Sequence, residues 1–322
     1  MTLSLIADIG GTNARFALWD GHSPSSVLVL APADFQQPAD AVRAYLARVG
    51  KTVDALQSVC LACAGPVQGD HFQFTNNAWS MSRSAFCQEL GLKELVLIND
   101  FAAQAMGMSR VEAHELLEIR PGVAQKSEPR LIIGPGTGLG VGTLLCLPDG
   151  RWKALPGEGG HVDLPVNTLQ ESRLWATMHA RFGHVSAEHV LSGSGMLKLY
   201  QAFCEVEGWT PVFSDPSHIT DAALDGDEQA LSVVEQFCIW LGRVAGNNVL
   251  TLGARGGVYI TGGIAPRIVE LLRKSGFTRA FADKGQMSDY FDTIPVWLVT
   301  AKQPGLVGAG VALQQRLDEV NR

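Results

Sequence analysis

Residues 5–21 read LIADIGGTNARFALWDG. The pattern predicts strand, glycine turn, strand across residues 3–20, with Gly10, Gly11, Thr12 and Asn13 in the turn. Glycines lack a Cβ, so their backbone can approach an anion closely and reach positive φ. Successive N–H groups in such a turn form a nest for phosphate oxygens. Thr12 adds a hydroxyl donor, and Asp8 at the strand end is placed to hold the waters around a Mg²⁺ ion. Phosphate loops that exploit a helix dipole open a helix. Here no Gly-Lys-Ser/Thr follows, G-x-G-x-x-G does not fit, and the next segment is a strand. A phosphate would be held by the hairpin turn itself. From this stretch alone, an ordinary hairpin with glycines for its turn remains an equal reading.

Working outward, RLIIGPGTGLGVGTLLCLPDG (residues 130–150) repeats the order: apolar strand, a turn rich in Gly and Thr, apolar strand, polar turn. Gly134, Gly136, Thr137, Gly138 and Gly140 offer a second nest of the same kind. A third glycine turn, Gly262-Gly263, follows the apolar run VYI and precedes a helical pattern with Pro266 near its first turn and Gly276 past its end. Two echoing hairpins suggest two related lobes.

The intervening segments read as an α/β chain. Val42, Tyr45, Leu46 and Val49 recur at helical spacing, LQSVCLACAGPV is a buried strand broken at Gly65-Pro66, and Gly91 closes a short helix. ELVLIND is a strand ending at Asn99-Asp100. Thr168 and Glu171 have capping-box spacing. A long helical stretch covers about Asp227 to Leu252, where Gly242 and Gly246 weaken the case for one unbroken helix.

With 322 residues, 46% hydrophobic and 18% charged, the chain can bury two cores. The net charge of −7 and the lack of a basic run argue against nucleic-acid and anionic-membrane partners. Asp8 interrupts the first apolar stretch, no positive n-region precedes it, and no run reaches the ~18 apolar residues of a membrane span. Six cysteines in such a chain read as reduced thiols, which points to the cytoplasm. Cys60 and Cys63 lie in an apolar strand with no second pair at zinc spacing, so metal or redox use is not expected.

Polar candidates cluster between the glycine turns. Asp100 at the carboxyl end of a buried strand could accept a hydroxyl proton as that oxygen attacks a γ-phosphoryl group; alternatively, Asn99 and Asp100 cap the following helix. Glu158 and His161, in LPGEGGH, could bind vicinal sugar hydroxyls; His161 alone reads as a structural histidine. Glu188 could join them, or be a favourable charge in a first turn after Ser186. His184, Glu188 and His189 miss the zinc pattern H-x-x-E-H by one residue, and His161 with Asp163 lacks a third ligand.

The three glycine turns resemble the nucleotide site of the actin, Hsp70 and sugar-kinase superfamily. The ordered set ADIGGTNARFALWD, FTNNAW, LINDF, GPGTGLG, LPGEGGH, GHVSAEHVLSG and GGVYITGGIAPR resembles the bacterial glucokinase family of the ATP-dependent, hexokinase-like type, from Leu5 to the closing PGLVGAG helix. The resemblance implies an α/β, two-lobed actin-like ATPase (ribonuclease H-like) fold with a nucleotide and sugar cleft between the lobes. It implies a small domain of residues 1–109 plus 302–322 and a large domain of residues 110–301. By it, Asp8, Ile9, Gly10, Gly11, Thr12, Asn13, Gly136, Thr137, Gly138, Gly262 and Gly263 would hold ATP, with Mg²⁺ reached from Asp8 through water. Asn99, Asp100, Glu158, His161 and Glu188 would hold glucose, with Asp100 as the base. A homodimer is also implied. A kinase for another hexose or N-acetylhexosamine, and a non-sugar actin-like ATPase, are the alternatives. Departures from the family pattern are small: Ser194 stands where many relatives carry proline, and His189 follows Glu188 where arginine is common. The cysteine-rich zinc motif of the related ROK family is not present, so zinc is not expected.

Overall fold

The computed structural model describes residues 3–65, 69–75 and 77–320. Pro66 of the strand break and Asn76 of FTNNAW lie outside the described residues. The chain forms two compact units, one of Met1–Glu112, Leu147–Pro156 and Ala301–Arg322, the other of Ala113–Cys146 and Gly157–Thr300.

The first unit begins with β1 (Leu3–Ile9), β2 (Ala14–Trp19), β3 (Pro24–Leu30), α1 (Pro38–Arg48), β4 (Leu56–Cys63), β5 (His71–Gln73), β6 (Ser80–Ser82), α2 (Arg83–Leu90), β7 (Glu94–Asn99) and α3 (Asp100–Gly107). Its main sheet has the order β3-β2-β1-β4-β7. β1 runs antiparallel to β2 and parallel to β4, which runs parallel to β7. Leu5, Ala7 and Ile9 pack with α1 residues Val42, Tyr45 and Leu46 on one face. Ile6, Cys60 and Ala62 pack on the other. Both faces are therefore covered, which is why these strands read as continuous apolar runs. Cys60 and Cys63 fall in the two different cores, and burial pushes both thiols up. Most usefully, Ile9 pairs with Cys63 and Cys63 with Asn99, so the carboxyl ends of β1, β4 and β7 are level.

The second unit contains β8 (Leu116–Arg120), β9 (Arg130–Pro135), β10 (Leu139–Cys146), α4 (Leu169–Phe182), α5 (Gly193–Glu207), α6 (Pro216–Leu224), α7 (Glu228–Leu252), β12 (Val258–Ile260), α8 (Val269–Lys274), α9 (Phe277–Ala282) and β13 (Val296–Val299), while β11 (Trp152–Gly157) follows β10 in the chain. Within this unit the sheet order is β10-β9-β12-β13-β8. β9 is antiparallel to β10 and parallel to β12. The echo seen in the sequence is thus an echo of topology. In each unit a strand turns through glycines into an antiparallel partner and also pairs in parallel with a later strand.

α7 is the long helix expected over about Asp227 to Leu252, and it runs unbroken through Gly242 and Gly246. A Cβ at either glycine would collide with the carbonyl oxygen of Phe277 or Phe281, so these glycines admit α9 rather than break α7. The expected capping box at Thr168 and Glu171 is present at the start of α4. The helix after Gly262-Gly263 is shorter than the sequence suggests: α8 starts at Val269, Pro266 sits in the preceding turn, and Gly276 caps α9. The closing helix α10 (Pro304–Val320) returns to the first unit, where Gly308 lets it lie against the Ala103 carbonyl of α3.

Candidate active site

In the first unit the candidates gather at the level carboxyl edge of the sheet. The turn between β1 and β2 is closed by Gly10 N, which donates to Asn13 O at 3.0 Å, and Asn77 Nδ2 donates to Gly10 O at 3.3 Å. Gly11, Thr12 and Asn13 are exposed, while the Ile9 side chain is buried, so Ile9 offers only backbone to a ligand. Neither Gly10 nor Gly11 adopts positive φ, nor do Gly136 and Gly138; of the candidate glycines, Gly262 alone does, at 82°. The expectation of left-handed backbone therefore holds only for the third turn. Gly10 serves by proximity, since a Cβ there would sit 3.2 Å from Asn13 O.

At the end of β7 the two readings of Asn99-Asp100 divide between the residues. Asn99 is the N-cap of α3: its Oδ1 accepts from Phe101 N and Ala102 N, each at 3.0 Å. This occupies the oxygen and turns the amide NH₂ to other use. Asp100 follows as the first helical residue, its Oδ1 accepting from Phe101 N at 2.8 Å. Burial nonetheless raises the Asp100 carboxyl above the ordinary carboxylate range, outweighing those hydrogen bonds. Asp8 is pushed up from 3.8 to about 6, chiefly by burial; Arg15 opposes the shift and Asp100 adds to it. The two carboxyls thus feel each other in a desolvated corner. Sequence reasoning missed Gly305 of α10, where a Cβ would lie 3.2 Å from Asp8 Oδ2. The resemblance already assigns residues 302–322 to the domain of the first strand, but no local pattern in the sequence pairs Gly305 with Asp8.

In the second unit, Leu139 at the start of β10 is the pivot. The turn before it is closed by Gly136 N donating to Gly138 O at 2.8 Å. Glu188 Oε2 accepts from Leu139 N at 2.8 Å and lies where a Gly138 Cβ would be. Val141 bridges to Glu158, and a Cβ at Gly160 would strike the Leu139 carbonyl oxygen. Gly159 and Gly160 are therefore required for close approach: they lay the segment flat on β10, and His161 N closes it by donating to Glu158 O at 3.0 Å. Glu158 and His161 have exposed side chains, and Glu188 is half-buried. His184, considered in the sequence only as part of a failed zinc pattern, sets Nε2 3.3 Å from His161 O and Nδ1 3.2 Å from Asp163 Oδ1. Gly262 packs on Pro135, the residue before Gly136, and Ile264 N donates to Pro135 O at 3.3 Å. Thus the structure brings Gly136, Thr137, Gly138, Glu158, His161, Glu188, Gly262 and Gly263 together in one unit. It brings Asp8, Gly10, Gly11, Thr12, Asn13, Asn99 and Asp100 together in the other.

The family model described as Glucokinase matches residues 5–316. The chain belongs to the glucokinase family. A glucokinase of Pseudomonas paraeruginosa is 56% identical over 321 residues, covering 99% of this chain and 95% of that protein. The crystal structure of a glucokinase from an Antarctic psychrotroph superposes with a TM-score of 0.89 at 36% identity, covering 98% of this chain and 99% of that one. A ROK family glucokinase from Streptomyces griseus, solved in complex with glucose and AMPPNP, has a TM-score of 0.64 at 21% identity, covering 97% and 99%; it speaks for a shared fold. No helix among the described residues is long and apolar enough to cross a membrane, and no group of three or more His, Cys, Asp or Glu among them could hold a metal.

Proposed function

We propose that the protein transfers the γ-phosphoryl group of ATP to the 6-hydroxyl of glucose, giving glucose 6-phosphate and ADP, with the roles of its residues as follows. Asp100 receives the hydroxyl proton as the sugar oxygen attacks phosphorus. The observation that carries this role is its raised carboxyl at the level edge of the sheet, next to the capping residue Asn99. A desolvated carboxylate is a stronger base than an exposed one. Asn99 through its NH₂, and Glu158, His161 and Glu188, address the remaining hydroxyls. The turns at Gly10–Asn13 and Gly136–Gly138 receive phosphate oxygens, and Gly262-Gly263 lies by the adenosine.

The donor set suits Mg²⁺ bound mainly by phosphates and waters. Asp8 is a desolvated carboxyl that Arg15 only partly compensates, and no group of three ligands is gathered among the described residues. Mg²⁺ commonly keeps several waters and takes one or two carboxylates. When bound it would supply charge neutralisation on the transferring group. Asp8 would orient its waters. Positioning and electrostatics, rather than covalent chemistry by the protein, then account for the rate.

The same reading takes the fold as the actin-like ATPase type. It also takes the enzyme as a cytoplasmic homodimer at the head of glycolysis. These attributes rest on family membership. The test is ADP release with glucose, mannose, fructose and N-acetylglucosamine beside a sugar-free control. Release that depends on glucose is expected. Preference for another hexose would reassign the acceptor, and sugar-independent release would favour a non-sugar ATPase.

A further inference from the structure

The turn that presents Glu188 is held by an unusual cap. Ala187–His189 form one short 3-10 turn, with Ser186 at its N-cap. His189 N donates to Ser186 O at 3.1 Å, and Ser192 Oγ donates to Glu188 O at 2.8 Å. Ser186 is buried, and its N–H donates to His189 Nδ1 at 3.1 Å, with Ser186 Oγ 2.9 Å from the same nitrogen. This is the reciprocal geometry of a Ser-x-x-Glu/Gln capping box, with an imidazole in the place of the carboxylate or amide. The substitution has a chemical consequence. Nδ1 can accept from Ser186 N–H only while it carries a lone pair, so the cap exists only for neutral imidazole.

Every element around His189 bears on that state. Phe182 at the end of α4 stacks on the imidazole with ring centroids 5.6 Å apart, and Lys198 Nζ of α5 lies 5.5 Å from the centroid of the Phe182 ring. His184 and His161 also oppose its protonation, and Glu188 on its own turn favours it. Burial first, then Lys198, holds the imidazole below its ordinary 6.5, against the pull of Glu188. The sign follows: a released turn binds a proton more readily than a capped one. The cap's contribution is therefore fully present above the ordinary value of 6.5 and is lost as the pH falls through the lowered value of the folded protein.

We propose that His189 is a positioning residue for the sugar site: neutral, it caps the turn that seats the Glu188 carboxylate on Leu139 N, and protonated, it releases that turn, so sugar affinity falls on acidification. This rests on the reading of Glu188 as a sugar ligand. The experiment measures KM for glucose and kcat from about pH 5.5 to 8 by discontinuous ADP release. It uses the full chain, H189Q, H189A and E188Q, with thermal unfolding of each protein without ligand. Glutamine restores the usual capping box with an acceptor that does not titrate. The wild-type KM for glucose should rise roughly 3–30-fold on the acid side, the scale of losing one cap, with kcat less affected. H189Q should lose that acid limb, and its unfolding temperature should exceed wild type increasingly as pH falls. H189A should carry the raised KM even at about pH 8. If E188Q raises KM but H189Q keeps the wild-type acid limb, the limb belongs to another group; the proposal is then overturned and the sugar reading stands. If E188Q leaves KM unchanged, the sugar reading of Glu188 fails and takes the link between cap and affinity with it.

Discussion

Gly160→Ala isolates the packing that aligns Glu158 and His161. A Cβ at residue 160 would fall inside contact distance of the Leu139 carbonyl oxygen and only 3.1 Å from both Leu139 C and Cβ. Gly160 does not have positive φ, so the change introduces no left-handed strain and its effect is steric. Two of the three opposing atoms are backbone, in a strand paired with β9, and cannot rotate aside. Either β10 or the segment 158–161 must move, by about an ångström if ordinary contact is to be regained. Overpacking of this kind costs about 1–3 kcal/mol. A unit of this size loses about 2–4 °C of melting temperature per kcal/mol. A displacement of about 1 Å in positioning groups can cost ~10²-fold in rate. The expected result is a fall of about 10²-fold in kcat/KM for glucose, with KM for ATP much less altered, in a folded protein melting a few degrees lower. Steady-state ADP release with glucose varied at saturating ATP, paired with thermal unfolding, measures both. An alanine variant with wild-type glucose kinetics would refute the argument that these glycines set the sugar site.

Further outcomes follow from individual side chains. Asp8 has a folded carboxyl raised from 3.8 to about 6, so stability without ligand declines as pH rises through that window and stays lower above it. Asp8→Asn should therefore stabilise the ligand-free protein at neutral pH, by up to about 3 kcal/mol at 1.36 kcal/mol per unit, while impairing phosphoryl transfer. Identical melting curves for variant and parent from about pH 4 to 8 would show that the carboxyl is not desolvated. Asp100→Ala should lower turnover by ~10²–10⁴-fold with folding intact; near-normal turnover would remove it as the base. Glu158→Gln should weaken glucose binding by about tenfold or more in calorimetry, and an unchanged affinity would count against its assignment.

What the sequence revealed was local. The Thr168–Glu171 box, the Gly91 stop and the Asn99 cap each depend on residues within a few positions, and each was readable or left open on correct grounds. The glycine hairpins were legible as a repeated pattern, and Asp100 was placed at a strand end because the apolar run stops there. The hidden features depend on tertiary approach. Gly242 and Gly246 look like helix breakers until α9 is seen against them. Gly160 and Gly138 look like turn formers until Leu139 and Glu188 occupy the space a Cβ would need. Gly305 meets Asp8 across nearly the full length of the chain. The Ser186–His189 box escaped notice for a different reason: histidine is not among the side chains that normally complete that motif.

The central claim is that Asp100 deprotonates a hexose held by Asn99, Glu158, His161 and Glu188. A crystal structure of the protein with glucose and a non-hydrolysable ATP analogue tests it most directly. The account predicts the sugar 6-hydroxyl within about 3 Å of an Asp100 oxygen, with the other hydroxyls on those four side chains. Glucose bound elsewhere, or bound with its 6-hydroxyl beyond reach of Asp100, would contradict it.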